Sequence, residues 1–190
     1  NQTIKRRLGA LSAAVNSYKN YHTDNNTTNI HNIFMGHQLE DTTKKREELS
    51  PETIKALQSN PVAPNVDDVG AIIDILLDTG LRISECAGLM WTDVHLDEEI
   101  PYLTITQHPH RSLKTKSSAR DIPLVGRPLA QFNQRQRQAY KSKFVFPRWN
   151  KRGITNGNSV SASVNKRLRK LESNISAHSL RHTFVTRMRD

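Results

Sequence analysis

A mostly helical α+β domain carrying a small antiparallel sheet is the fold the sequence predicts, and three observations predict it. Residues 66–78, VDDVGAIIDILLD, are apolar on one face and, in the middle, nearly all round, the pattern of a central buried helix. YLTIT (102–106) and ARDIPL (119–124) have strand character and bracket a polar, basic tip, which predicts a hairpin. SVSASVNKRLRKL (159–171) and HSLRHTFVTRMR (178–189) then predict two further helices.

Taken in order, residues 3–22 place Ile4, Leu8, Leu11 and Val15 at helical spacing with basic residues between them, so one amphipathic helix opens the chain. Residues 23–47 are rich in Asn, Thr and charge, which suits a linker, and the main domain is expected from residue 48 to 190. Ser50 before Pro51 is the arrangement of an N-cap with proline at the first helical position, opening PETIKALQ. Gly80 ends the central helix and residues 82–89 read as another short one. After the hairpin the helical pattern returns beyond Pro128, and KFVFP (143–147) is a short extended piece. With 190 residues the chain is long enough for one well-buried domain plus an extra segment.

Composition narrows the function. No stretch approaches the roughly 18 consecutive apolar residues of a membrane span, and the opening NQTIKRRLGA lacks the apolar run of a signal peptide, so a cytoplasmic protein without membrane partner is expected. The single cysteine, Cys86, excludes an internal disulfide and a cysteine-cluster metal site, and its apolar helical surroundings predict a buried thiol. The net charge of +10 is uneven: residues 126–190 hold fifteen Lys and Arg against two acids, Glu172 and Asp190, while the first 125 residues hold 13 basic and 16 acidic side chains. A basic half of this density repels itself unless it serves a polyanion, and nucleic acid is the commonest one.

Two segments carry the chemistry: Thr79-Gly80-Leu81-Arg82-Ile83-Ser84-Glu85 and His178-Ser179-Leu180-Arg181-His182. They resemble the two arginine boxes of the tyrosine recombinases of the phage integrase type, and between them LKTKSSARDIPL resembles the hairpin that carries that family's catalytic lysine. The three occur in the family's order, about 30 and 65 residues apart, and the ordered set is far more specific than any one motif. The resemblance covers residues 48–190. Residues 1–22 resemble the last helix of the family's core-binding domain.

The resemblance implies a site-specific DNA recombinase that works without metal or nucleotide cofactor, through a 3′-phosphotyrosyl link that conserves the phosphodiester energy. Attack on phosphorus builds negative charge on the non-bridging oxygens, and guanidiniums meet it with permanently charged, forked donors. Arg82 and Arg181 take that role. His178 lies three residues before Arg181, on the same helical face, and imidazole suits proton transfer near neutral pH. Lys114, nine residues before Pro123, is the expected donor of a proton to the leaving 5′ oxygen, with Lys116 its rival. Lys116, Arg120, Arg148, Lys151 and Arg152 are the expected contacts to DNA.

Other features receive plainer readings. Glu85 resembles the acidic residue after the family's first arginine and is read as orienting its helix; His182 is read as a satisfied structural histidine; His108 and His110 around Pro109 are read as a turn. A zinc site at His178 and His182 is rejected, because the zinc protease pattern needs a glutamate where Ser179 stands. The expected partners are double-stranded DNA at a specific site, further protomers in a synaptic tetramer and accessory DNA-bending proteins. The family continues past its second box to a Gly-His or Gly-Trp element and the nucleophilic tyrosine. Tyr18, Tyr21, Tyr102 and Tyr140 all precede Arg181, so the nucleophile is expected outside these residues. Two other functions share parts of this pattern: a DNA-binding relative without catalysis, and a type IB topoisomerase, which has the same constellation but relaxes DNA.

Overall fold

The computed structural model describes residues 2–21, 30–38, 47–59, 67–113, 115, 118–138 and 141–189. The chain forms two compact units, residues 1–45 and 46–190. In the first, helix α1 (Gln2–Tyr21) has the amphipathic spacing read from its sequence. Part of the expected linker is tied to it: buried Asn32 donates to the carbonyl of Ser12 at 3.0 Å and to Asn16 Oδ1 at 2.8 Å.

The second unit is built around α3 (Asp68–Thr79), whose Ala71, Ile72, Ile73, Ile75, Leu76 and Leu77 are all buried. The helix begins where Asp67 accepts from the backbone N–H groups of Val69 and Gly70, both at 3.1 Å, and so satisfies two orphan donors of the first turn. Asp67 lies below the usual carboxylate range: burial raises it, but Arg167 and those two N–H groups outweigh the burial. Against α3 pack α4 (Ile83–Ala87), α5 (Gly126–Arg137), α6 (Gly157–Leu168) and α7 (Ala177–Arg187). Buried Asp74 on α3 would be costly alone. Arg127 of α5 meets it with two nitrogens, at 3.0 and 2.9 Å, and Gln131 donates a third bond at 2.6 Å.

Helix α2 (Pro51–Ser59) starts as its sequence predicts, with Ser50 Oγ accepting from the Thr53 N–H at 3.2 Å. The expected hairpin is present as β2 (Tyr102–Ile105) and β3 (Arg120–Pro123), antiparallel, with Leu103 opposite Ile122 and Ile105 opposite Arg120. Leu103 and Ile105 alternate into the core. Two further pieces of sheet were not legible in the sequence. The first is β1 (Val94–His95), which adds to the free edge of β2; the second is the hairpin β4 (Asn150–Lys151) and β5 (Ile154–Thr155). Each strand is two residues long, too short for alternation to register. The extended piece at 143–147 docks on the segment after α4, where Val145 N–H donates to the carbonyl of Leu89 at 3.0 Å. No helix among the described residues is long and apolar enough to cross a membrane.

Gly80 joins the core to the region of the two sequence boxes. Its φ of +60° and ψ of 21° are left-handed, and its N–H closes α3 by donating to the carbonyl of Leu76 at 3.1 Å. A Cβ there would run into the ring of Phe184 on α7. The residue is needed twice, for its backbone conformation and for the close approach of α7. Gly126 has a similar φ of +58° but open space around it. Gly126→Ala should therefore cost only the conformational penalty, about 1 kcal/mol. Gly80→Ala should cost clearly more, about 3 kcal/mol once overpacking against Phe184 is added. Urea unfolding of the two variants checks this, and equal midpoints would show that the approach of Phe184 is not constraining.

Candidate active site

The turn Thr79-Gly80-Leu81 delivers Arg82 to the start of α4. Leu81 is buried and anchors the turn, while Arg82 takes the N-cap position with extended backbone. Glu85, three residues on, folds back: its Oε2 accepts the backbone N–H of Arg82 at 3.0 Å and its Oε1 accepts Arg82 Nη1 at 2.7 Å. One carboxylate thus fixes both the backbone and the guanidinium of the first-box arginine.

Glu85 is only 1% exposed and has a second cation. Arg120, at the start of β3, donates from Nη2 to Glu85 Oε2 at 3.0 Å and from Nη1 to the carbonyl of Ser118 at 2.7 Å. Burial pushes the carboxyl of Glu85 up, but the Arg82 backbone N–H and the guanidiniums of Arg120 and Arg82 together hold it below the usual range, so it stays ionised. Ser118 closes the ring: its hydroxyl accepts from Arg82 Nη1 at 3.2 Å and meets Thr115 Oγ1 at 2.9 Å.

The second box arrives on α7. Arg181 donates from Nη1 to the carbonyl of Gly80, two residues before Arg82. Burial lowers its pKa, the charges of Arg82 and Arg120 lower it further, and Glu85 opposes them. Arg82, Arg120, Arg181 and Glu85 are therefore one electrostatic cluster with three guanidiniums and one carboxylate. The excess of two positive charges sits on half-exposed side chains, which is the condition for drawing in an anion.

His178 is exposed in the first turn of α7. His182, expected as a satisfied structural residue, is exposed as well, and its ring stands edge-on to that of His178 with centroids 4.9 Å apart. Lys114 and Lys116 lie outside the described residues; their neighbours Thr115 and Ser118 belong to the network around Arg82. Of the expected DNA contacts, Arg120 is committed to Glu85. Arg148, Lys151 and Arg152 are exposed around the β4–β5 hairpin, with Arg148 lying over the Trp149 ring at 5.3 Å, and they line a concavity of about 620 Å³. No group of three or more His, Cys, Asp or Glu among the described residues is placed to hold a metal. Cys86 is buried, and burial pushes its thiol far above the usual range.

Sequence reasoning missed the support beneath the site. Arg111, which reads as one more basic residue of a polar tip, is 3% exposed and donates to the carbonyls of Glu85 at 2.9 Å and Thr106 at 2.8 Å. Burial lowers its pKa, against the charges of Asp93 and Glu85. The turn expected around Pro109 exists, but both histidines have partners: His108 pairs with Asp93 at 2.8 Å and His110 Nε2 meets the carbonyl of Gly88 at 2.9 Å. Glu85 was the part of this support that the resemblance pointed to, read there as orienting its helix; its carboxylate also holds the Arg82 guanidinium.

Three comparisons bear on what these residues belong to. The family model of the phage integrase family matches residues 47–190. The tyrosine recombinase XerD of Lacticaseibacillus casei is 27% identical over 161 residues, a match covering 78% of this chain and 52% of that protein, so the chain spans about half the length of this relative. Among solved structures, the integrase of the transposon Tn1549, in complex with a circular intermediate DNA, superposes with a TM-score of 0.68 at 21% identity, covering 100% of this chain and 67% of that one. An integrase from mycobacterium phage Brujita superposes with a TM-score of 0.55 at 22% identity, covering 94% of this chain and 55% of that one. These structural likenesses speak for the fold, and the family model, which spans both boxes and the hairpin between them, decides the membership: the chain belongs to the phage integrase family of tyrosine recombinases.

Proposed function

We propose that this chain contributes the phosphate-activating part of a site-specific DNA recombinase, which cleaves and rejoins DNA through a 3′-phosphotyrosyl intermediate. The observation that carries the reading is the cluster of Arg82 and Arg181 at one turn, with Glu85 holding the first and the Gly80 carbonyl holding the second. Preorganised guanidiniums are worth most where charge develops on phosphorus, because they need no reorganisation at the moment of reaction.

In this mechanism a tyrosine supplied from outside these residues attacks the phosphorus in line with the 5′ oxygen. The new bond joins tyrosine oxygen to phosphorus, the bond to the 5′ oxygen breaks, and the charge on the non-bridging oxygens falls on Arg82 and Arg181. Lys114 gives the proton that the departing 5′ oxygen needs, and His178 positions the phosphate and takes the proton that the tyrosine hydroxyl sheds. Attack of a 5′ hydroxyl on the phosphotyrosine reverses the step, so the cycle consumes neither metal nor nucleotide. Arg148, Lys151 and Arg152 serve the duplex backbone, as the charge excess of residues 126–190 suggests, and Lys116 joins them from the hairpin tip. The assembly would comprise several protomers on specific DNA sites, with DNA-bending proteins as accessories, in a bacterial cytoplasm.

The test is adduct formation by the full-length protein on a nicked suicide DNA substrate, resolved on a denaturing gel. Arg82→Ala and Arg181→Ala should each slow the adduct by roughly 10² to 10³ or more while leaving DNA affinity largely intact. Arg82→Ala leaves Glu85 the backbone N–H and Arg120, so it should still fold. Normal cleavage by either variant would remove that arginine from the mechanism. No adduct from wild-type protein that binds DNA would favour a non-catalytic relative, and relaxation without joining of two sites would favour a topoisomerase.

Lys114→Ala should be slow on ordinary DNA and recover on a substrate whose 5′ leaving oxygen is replaced by sulfur, since a thiolate leaves without a proton. Recovery by Lys116→Ala instead would exchange the roles of the two lysines.

A further inference from the structure

The third guanidinium of the cluster has no role in the mechanism above, and its geometry points away from plain DNA contact. Arg120 spends Nη2 on Glu85 Oε2 at 3.0 Å and Nη1 on the Ser118 carbonyl at 2.7 Å. The carboxylate it holds is the one that fixes Arg82, through Oε1 to Nη1 at 2.7 Å and through Oε2 to the backbone N–H at 3.0 Å. The carbonyl it holds belongs to the residue whose hydroxyl accepts from Arg82 Nη1 at 3.2 Å. Arg120 therefore grips both of the residues whose side chains orient Arg82.

We propose that Arg120 is a positioning residue: it locks Glu85 and Ser118 so that the Arg82 guanidinium is aimed at phosphate, and it ties β3 to the same carboxylate. Without it, Glu85 keeps both bonds to Arg82, but Oε2 loses its charged partner, so the buried carboxylate is held from the Arg82 side alone. The Ser118 carbonyl loses a donor, and β3 loses its tie to the Glu85 carboxylate, which leaves Ser118 joined to Arg82 through its hydroxyl. Such a residue acts on the aim of another group, so its loss should appear in the bound complex and not in the affinity for DNA. The inference rests on the recombinase reading for its kinetic consequence but not for its structural one.

Two measurements on the full-length protein test it. In the first, Arg120→Ala should lower the adduct rate at saturating DNA by tenfold to a hundredfold while the salt dependence of binding keeps its slope. Arg120→Lys should recover part of the rate, since one ammonium reaches Glu85 but does not span to the Ser118 carbonyl as well. The double variant with Glu85→Gln should lose little beyond the worse single one, because both act on one interaction. A slope made shallower by about 0.9 with the saturated rate unchanged would make Arg120 an ordinary phosphate contact and overturn the proposal. In the second, the Arg82 guanidinium resonances of ¹⁵N-arginine-labelled protein should be well resolved in the wild type and broaden or shift toward free arginine in Arg120→Ala. If wild-type protein forms no adduct, the recombinase reading is lost and these resonances alone judge the positioning role: their collapse in Arg120→Ala upholds it, and an unmoved Arg82 signal ends it.

Discussion

The buried carboxylate of Glu85 is the interaction on which the rest of the site depends. Removing a carboxylate from water costs several kcal/mol, and the cost is met only when its oxygens are well paired. Here one backbone N–H and two guanidiniums meet it. Because those two guanidiniums come from α4 and β3, the need to satisfy one anion brings a helix and a sheet into register. The anion also sets the balance of the cluster. It is strong enough to gather Arg82 and Arg120, yet with Arg181 added the cluster keeps a positive excess.

The core supplies the frame for that anion. Helix α3 is nearly all apolar, so it sits at the centre and fixes where its C-terminal end emerges. Gly80 then turns the chain in a conformation that costs most residues energy, and the missing side chain lets α7 come close enough for Arg181 to reach its carbonyl. Below α4, Arg111 binds the Glu85 carbonyl, so the residue at the centre of the cluster is held from its main chain as well as from its side chain.

The fold was legible in the sequence where periodicity was long. The run over 66–78, the strands on either side of the polar tip and the last two helices all had enough residues to show a period, and the helix caps at Ser50 and Gly80 had the residue types that capping demands. The arginines of the candidate site were legible because the two boxes that carry them, with the hairpin between, resemble in order those of a known family. What escaped had long sequence separation. Nothing in the string tells that Arg120 and Glu85, or Arg111 and the Glu85 carbonyl, are neighbours, since residues 35 and 26 positions apart meet only once the chain has folded. The strands β1, β4 and β5 escaped for the opposite reason, being too short to carry any pattern. His108 and His110 look like turn residues because they are; their bonds to Asp93 and to Gly88 are tertiary additions.

The central claim is that one turn presents two arginines to one phosphate because a buried glutamate orients the first of them. A crystal structure of the full-length protein bound to its DNA site tests it most directly. The account predicts guanidinium nitrogens of Arg82 and of Arg181 both at about 3 Å from oxygens of a single phosphate, with Glu85 still dry between Arg82 and Arg120. Finding the two arginines on different phosphates, or Glu85 turned out into water in the complex, would contradict it.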